Sequence, residues 1–317
     1  MVWALIGVGA LAALVGVSYF VEGSRRPPEP PIVLSWAPDV VIRYVDVGGM
    51  RLRYIVAGDG PVVVLLHTLR TQLDMFYRVI PELAGRFCVY AVDLPGHGFS
   101  DIPREDQTPE LFVQAVGRFL DSLDIRDAVL AGESIGGAIA LVHAARRSQR
   151  VRAVVAVNPY DYDRGSGIKR SSALANALFG VNNVPLLGAT ASRLRQHAIV
   201  RRILEGGVVN ADSIPAWLDT EIYEVGNRRG HYQGFMSLVR HFPDWERARN
   251  EYVGITIPVS LIYGDRDWSR VEEREEERRL VPGSSLMIVQ GAGHFLSLDA
   301  PRAFADAVAK VASAVAD

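Results

Sequence analysis

The sequence predicts an α/β fold: a mostly parallel sheet with helices on both faces, an inserted helical subdomain, and one membrane-spanning helix ahead of the domain. Three observations carry this reading. Short, nearly continuous apolar runs at residues 62–67, 87–92, 128–132, 151–157, 259–263 and 285–289 read as strands buried on both faces. Stretches with helical spacing separate most of them, the alternation that builds a parallel sheet. Residues 160–251 break the rhythm with helical patterns and no convincing strand, far more chain than a crossover needs.

Taken in order, residues 2–21 carry no charge. About 20 apolar residues at roughly 1.5 Å per residue cross a hydrocarbon core of roughly 30 Å. Trp3 and Tyr19 stand near the two ends, where aromatic rings favour the interface. A cleaved signal peptide fits less well: no basic region precedes the run, and no small-x-small site precedes Glu22. Arg25 and Arg26 follow the span, which by the positive-inside rule puts the domain in the cytoplasm. Residues 27–31, P-P-E-P-P, are a stiff spacer. The expected organisation is an anchor over 1–26, a proline-rich linker over 27–39, a core over 40–159 and 252–317, and the helical insertion over 160–251.

Within the core, residues 41–47 and 51–57 alternate as a hairpin around Gly48-Gly49. Residues 71–84 have helical spacing. A helix over 109–123 takes Thr108 as its N-cap, another covers 136–146, and the last runs over 304–315. The acidic and basic run at 272–279 reads as a solvated helix face, as do the clustered Arg193, Arg195, Arg201 and Arg202, with anionic lipid head groups as the alternative for that cluster. The lone Cys88 reads as a small buried hydrophobe, and no Cys or His pair has zinc-ligand spacing. A formal net charge of −2 gives no support to a nucleic-acid partner.

The chemistry concentrates at Gly132-Glu133-Ser134-Ile135-Gly136-Gly137, a G-x-S-x-G pattern preceded by an apolar strand and followed by a helix. That context is a nucleophile elbow: the serine occupies a sharp, strained turn, and the residues two before and two after must be small. A serine hydroxyl needs a base. On such a scaffold the order is Ser, then Asp or Glu, then His. His67 and His97 precede Ser134, His143 sits in the following helix, and His197, His231 and His241 fall in the insertion. His294, in G-A-G-H-F after the last strand, remains. For the acid, Asp267 or Asp265 in G-D-R-D follows a strand, with Asp161 as a third option; Asp267, deeper in its loop, is preferred.

At this point the chain resembles the α/β-hydrolase superfamily, in its branch with a helical cap. The resemblance runs from about residue 40 to the C-terminus. It rests on D-L-P-G-H-G-F-S-D at 93–101, G-E-S-I-G-G at the elbow, Y-G-D-R-D at the acid, and G-A-G-H-F-L-S-L-D-A-P at 291–301. It implies Asp267 as the acid, a cap or lid over 160–251, and a serine chemistry of the esterase, lipase or carbon–carbon hydrolase kind. Dehalogenases and epoxide hydrolases of similar appearance carry Asp at the Ser134 position. It also implies an oxyanion hole from the backbone N–H groups of Leu69 and Ile135, worth roughly 3 kcal/mol each. The family usually has His-Gly after the third strand; here the residues are His67-Thr68-Leu69-Arg70. Thr68 in place of Gly restricts that loop. Thr68, Arg70 and Glu133 are the candidate substrate-binding side chains, and apolar insertion residues Leu174, Leu178, Phe179, Val184, Leu186, Leu187, Trp217, Phe235 and Met236 either line an acyl pocket or pack the lid.

The expected function is hydrolysis of a lipophilic ester, such as a monoacylglycerol, through an acyl-enzyme, with no cofactor or metal required. Two rivals share the scaffold: a carbon–carbon bond hydrolase or cofactor-free oxygenase, and a non-catalytic binding protein.

Overall fold

Alternation along the buried strands divides the core into two layers. On β4 (Val62–Leu66), Val63 and Leu65 pack with Val129, Ala131, Val155 and Val157 on one face. Val64 and Leu66 pack with Leu130, Val154, Ala156 and Leu261 on the other. Because successive residues point to opposite faces, an all-apolar run is what a strand covered on both sides requires. The computed structural model describes residues 2–314 apart from 147, 183 and 185.

The nine strands are β1 (Val33–Leu34), β2 (Ala37–Asp46), β3 (Arg51–Ala57), β4, β5 (Cys88–Val92), β6 (Ala128–Glu133), β7 (Val151–Val157), β8 (Val259–Gly264) and β9 (Ser285–Val289), ordered β1-β2-β3-β5-β4-β6-β7-β8-β9. The first three and the β3–β5 pair are antiparallel; from β5 to β9 every pair is parallel. The chain is therefore an α/β protein with a mostly parallel sheet. Gly48 and Gly49, at φ 87° and 88°, turn β2 into β3.

The helices are α1 (Val2–Ser24), α2 (Val79–Ala84), α3 (Pro109–Ser122), α4 (Ile135–Ala145), then α5 (Ala173–Val181), α6 (Leu187–Arg193), α7 (His197–Glu205), α8 (Ala216–Val225), α9 (His231–Arg240) and α10 (Phe242–Ala248) in the insertion, and α11 (Val271–Leu280), α12 (Leu296–Asp299) and α13 (Pro301–Ala314). Helices α2 and α13 cover one sheet face, α3 and α4 the other. Among the described residues no strand lies between β7 and β8.

Several expectations need correction. Residues 71–84 form a 3₁₀ turn, Leu73–Phe76, and the short α2 rather than one helix. Pro81 has no N–H to give the Tyr77 carbonyl, so a continuous helix would lose a bond there. The last helix starts at Pro301, a favoured first position; residue 315 of its expected span lies outside the described residues. Cys88 is half-buried, not sealed in the core. The run at 272–279 is not wholly solvated: Arg274 and Glu277 face inward, Glu277 toward Arg249 at 3.2 Å.

Only part of the arginine cluster is a solvated face: Arg202 is exposed and Arg201 half-buried. Arg193 and Arg195 are buried, and they meet the end of α1. Arg193 Nε donates to Ser18 Oγ at 2.9 Å and its guanidinium lies 4.0 Å from the Tyr19 ring centre. Arg195 pairs with Glu22 at 2.7 Å. Arg25 donates to the carbonyls of Arg193 and Arg195 and to the side chains of Tyr223 and Asn227. Arg201 and Arg202 both pair with Glu205. Helix α1 is long and apolar enough to cross a membrane, and its C-terminal turns are fastened to the insertion.

Candidate active site

Ser134 follows β6 directly, at φ 60° and ψ −120°. This left-handed, strained conformation turns the chain from strand to helix within one residue. The turn is possible because its flanks are glycine. A Cβ on Gly132 would lie 2.1 Å from the Gly136 carbonyl oxygen, and one on Gly136 would lie 2.1 Å from that of Leu66.

His294 comes from the loop after β9 and Asp267 from the loop after β8. His294 Nε2 lies 2.9 Å from Ser134 Oγ, and His294 Nδ1 lies 2.5 Å from Asp267 Oδ1. The geometry fits an imidazole that donates from Nδ1 to the carboxylate and accepts the serine proton at Nε2. The second oxygen of Asp267 accepts from the Ser269 N–H at 2.9 Å and from the Ser269 hydroxyl. Burial alone would raise the Asp267 pKa; the His294 ring and the Ser269 donors outweigh it and hold the carboxyl below its ordinary range. Asp265 instead accepts from the N–H groups of Gly291 and Ala292, tying the two loops together. Asp161 is taken up by the Tyr252 hydroxyl at 2.7 Å, with Arg249 beyond.

Three further residues shape this constellation. Trp268 stacks on the His294 ring, centroids 3.7 Å apart and planes 10° from parallel, which suits a ring that becomes cationic. Asn158, just past β7, donates to the carbonyls of Gly293 and His294 at 3.1 and 2.8 Å and accepts from Gly264 N–H at 2.9 Å. One side chain thus joins the acid strand to the base loop. Arg274 Nε donates to Ser269 Oγ at 2.8 Å and so braces the support of Asp267. The sequence signal for Asn158 is an Asn-Pro step at a strand end; for Trp268 and Arg274 there is none.

The loop after β4, the candidate oxyanion loop, accommodates Thr68 without strain at that residue. Thr68 is not among the positive-φ residues; Arg70 is, at 55°. The Thr68 carbonyl accepts from His67 Nδ1 at 2.7 Å and from Thr71 Oγ1 at 2.9 Å. His67 Nε2 accepts from the Leu94 N–H at 2.9 Å, which assigns the proton to Nδ1. Burial lowers the His67 pKa to about 4, so the ring stays neutral and keeps that tautomer. In a planar trans peptide, fixing the Thr68 C=O directs the Leu69 N–H the opposite way. Among the described residues no acceptor engages the N–H of Leu69 or of Ile135.

Glu133 does not reach the substrate side. Strand alternation turns it away from the elbow, and its carboxylate accepts from the Ser297 N–H and hydroxyl, both at 2.8 Å. Burial drives its pKa up to about 7 against those donors.

A cavity of about 100 Å³ adjoins the loop, lined by Thr68, Leu69, Arg70, Trp268 and Phe295 from the core and by Leu178, Phe179, Ile199, Val200, Ile203, Leu204 and Phe235 from the insertion. Of the other apolar insertion residues singled out above, Met236 is buried while Leu174, Val184, Leu186 and Leu187 are exposed. Trp217 packs edge-on against Tyr77. Ser134, Asp267 and His294 do not themselves line the smaller cavity, which meets them through Trp268 and Phe295, the chain neighbours of Asp267 and His294; nor do they line a larger groove of about 1020 Å³ between the proline segment and residues 101–118.

A family model described as the alpha/beta hydrolase fold matches residues 61–301. The chain belongs to this family. Among its members, an sn-1-specific diacylglycerol lipase of Mus musculus is 28% identical over 278 residues, covering 83% of this chain and 85% of the relative. The carboxylesterase YbfK of Bacillus subtilis is 27% identical over 274 residues, 84% of this chain and 86% of the relative. Among solved structures, a membrane phospholipase A described as a bacterial virulence factor superposes with a TM-score of 0.73 at 24% identity, covering 100% of this chain and 94% of that one.

Proposed function

We propose that this α/β hydrolase is a serine esterase that cleaves lipophilic carboxylic esters through an acyl-enzyme on Ser134. The observation that carries the reading is the 2.9 Å and 2.5 Å relay from Ser134 through His294 to Asp267, set on a strained elbow. His294 takes the Ser134 proton as Oγ attacks the ester carbonyl. The N–H groups of Leu69 and Ile135 receive the oxyanion, and the alcohol leaves with the proton from His294. Water then repeats the sequence on the acyl-enzyme. Each step uses only this chain's own groups, so the reading needs neither metal nor cofactor.

Support for a lipophilic substrate comes from the apolar cavity walls and from relatives named as a diacylglycerol lipase and a carboxylesterase. Ser134 and His294 are both at 0% exposure, so residues 160–251 act as a lid that must move to admit substrate. Helix α1 serves as the membrane anchor, with the domain on the cytoplasmic side. The exposed Val184, Leu186 and Leu187 adjoin or begin α6, the element on which α1 rests, and present apolar surface to the same bilayer. Arg25 is bound to the cap, so Arg26 is left as the lipid-facing cation of the pair.

The test is reaction of the full-length protein with a fluorophosphonate probe and with an ester panel of graded chain length. Wild type labels and turns over esters; Ser134→Ala loses labelling and on the order of 10⁴- to 10⁶-fold in kcat. Ester turnover that survives Ser134→Ala sinks the reading.

A further inference from the structure

Arg70 is the one part of the site that the acyl-enzyme chemistry leaves without a task. Its backbone is held at φ 55°, a conformation a non-glycine residue adopts only where its surroundings enforce it. Its side chain is enclosed by protein, yet part of its surface stays accessible because it lines the apolar cavity. Among the described residues it makes no hydrogen bond and no ion pair, and its Nε is sealed from solvent. Its remaining compensation is the Phe235 ring, 4.8 Å from the guanidinium to the centroid.

Other buried arginines behave differently. Arg53 holds Asp74 and Asp93, Arg195 holds Glu22, and Arg249 faces Asp161 and Glu277. Arg152 shares the lack of partners but stands on β7 and does not line the cavity. Around Arg70 the charge is lopsided. Burial, then Arg195 and Arg25, press its pKa down to about 9, against a weaker opposing influence of Glu22. An enclosed cation among cations, with five donors and no acceptor, calls for an anion.

We propose that Arg70 is an anion subsite beside the oxyanion loop, and that the substrate is an ester bearing a carboxylate or phosphate group next to an apolar chain. The inference rests on the serine-esterase reading. Arg70 follows Leu69 directly, so an ester whose carbonyl oxygen sits at the Leu69 N–H has its anionic group within one residue's reach. The apolar chain lies along Leu178, Phe179, Ile203 and Leu204. Guanidinium pairs with carboxylate or phosphate through parallel N–H donors, and both anions share that recognition.

Two matched substrate pairs test this on the full-length protein. Mono-4-nitrophenyl adipate against 4-nitrophenyl hexanoate asks about a carboxylate; 1-oleoylglycerol 3-phosphate against 1-oleoylglycerol asks about a phosphate. Wild type is expected to favour the anionic member of at least one pair, and which pair identifies the anion. In that pair Arg70→Gln lowers the anionic-to-neutral ratio of kcat/KM by about 10- to 100-fold, while Arg70→Lys keeps part of the preference. No preference in either pair, or a ratio that Arg70→Gln leaves unmoved while both members decline together, overturns the subsite and leaves the esterase reading standing. Failure of wild type to hydrolyse any ester or to label at Ser134 overturns both. Should Arg70→Gln not fold, inhibition of wild type decides: hexyl phosphate or hexanoate binding about ten-fold or more tighter than hexanol supports the subsite, and equal inhibition overturns it.

Discussion

The sheet side of the site and the cap side handle charge in opposite ways. On the sheet side the triad side chains and their supports have partners within the domain: Ser134, His294, Asp267, Ser269 and Arg274 form one chain of hydrogen bonds, and Asn158 ties its two loops together. On the cap side Arg201 and Arg202 pair within the cap with Glu205, but two of its buried arginines reach outside it. Arg193 and Arg195 reach into α1, Arg25, just past α1, reaches back, and Arg70, on the core loop that faces the cap across the cavity, finds no anion at all. The sheet side is complete as folded, as a preorganised catalyst should be. The cap side is completed by the N-terminal helix and, on our proposal, by substrate. The helical insertion is therefore coupled to α1, not an independent flap.

The contrast breaks most sharply at Asp267. Asp267→Asn keeps the shape but loses the charge that holds the His294 tautomer, and a fall in kcat of about 10⁴-fold is expected with the fold intact. Asp265→Asn, at a carboxylate held by two backbone N–H groups and its exposed neighbour Arg266, should cost far less. Equal losses in the two variants would mean the acid is misassigned. Asn158→Ala comes next: it removes three hydrogen bonds that position the loops without touching substrate. It should lower kcat about 10- to 100-fold with KM little changed, and Asn158→Asp should not rescue it because a carboxylate cannot donate to the Gly293 and His294 carbonyls. A KM effect alone would place Asn158 in substrate binding instead.

What could be read from the sequence follows the range of the forces involved. The elbow was legible because steric demands two residues either side of Ser134 leave a local mark, glycine at 132 and 136. His294 could be singled out because chain order on a parallel sheet is a topological constraint; that constraint left Asp161, Asp265 and Asp267 open for the acid, and loop depth and the family resemblance pointed to Asp267. Trp268 and Arg274 were not, since their roles arise from contacts that no spacing rule encodes. Glu133 was misplaced by sequence proximity: adjacent to Ser134 in the chain, it projects to the other side of the strand. Arg193 and Arg195 were misread for the same reason at longer range, because their partners Ser18, Tyr19 and Glu22 stand more than 170 positions away.

That long-range pairing gives the next test. Glu22→Gln leaves the Arg195 guanidinium, 4% exposed, without its carboxylate. A buried charge that loses its partner is costly; with the Ser192 and Gly226 carbonyls still accepting from Arg195, a loss of about 1–3 kcal/mol is expected. Thermal unfolding of the detergent-solubilised protein would register it as a lowered Tm. An unmoved Tm would mean that the cap stands without α1, and the contrast between the two sides would dissolve.

An effect comparable in size to that of Glu22→Gln lies in the pH dependence of stability, and it belongs to Glu133 on the sheet side. Its pKa is raised in the folded protein to about 7, whereas an unfolded carboxyl titrates near the ordinary glutamate value. The folded state thus holds a proton that the unfolded state has already released. Its stability is greatest below the unfolded pKa and falls as pH rises through the window up to about 7. The decline is on the order of 1–3 kcal/mol and then levels off. Glu133→Gln, which cannot ionise, should flatten that slope while keeping an acceptor for Ser297. Urea unfolding at pH 5 and pH 8 compares the two proteins directly. If the wild-type slope survives in Glu133→Gln, the titrating group lies elsewhere, and the sheet side is less fully compensated than its hydrogen bonds indicate.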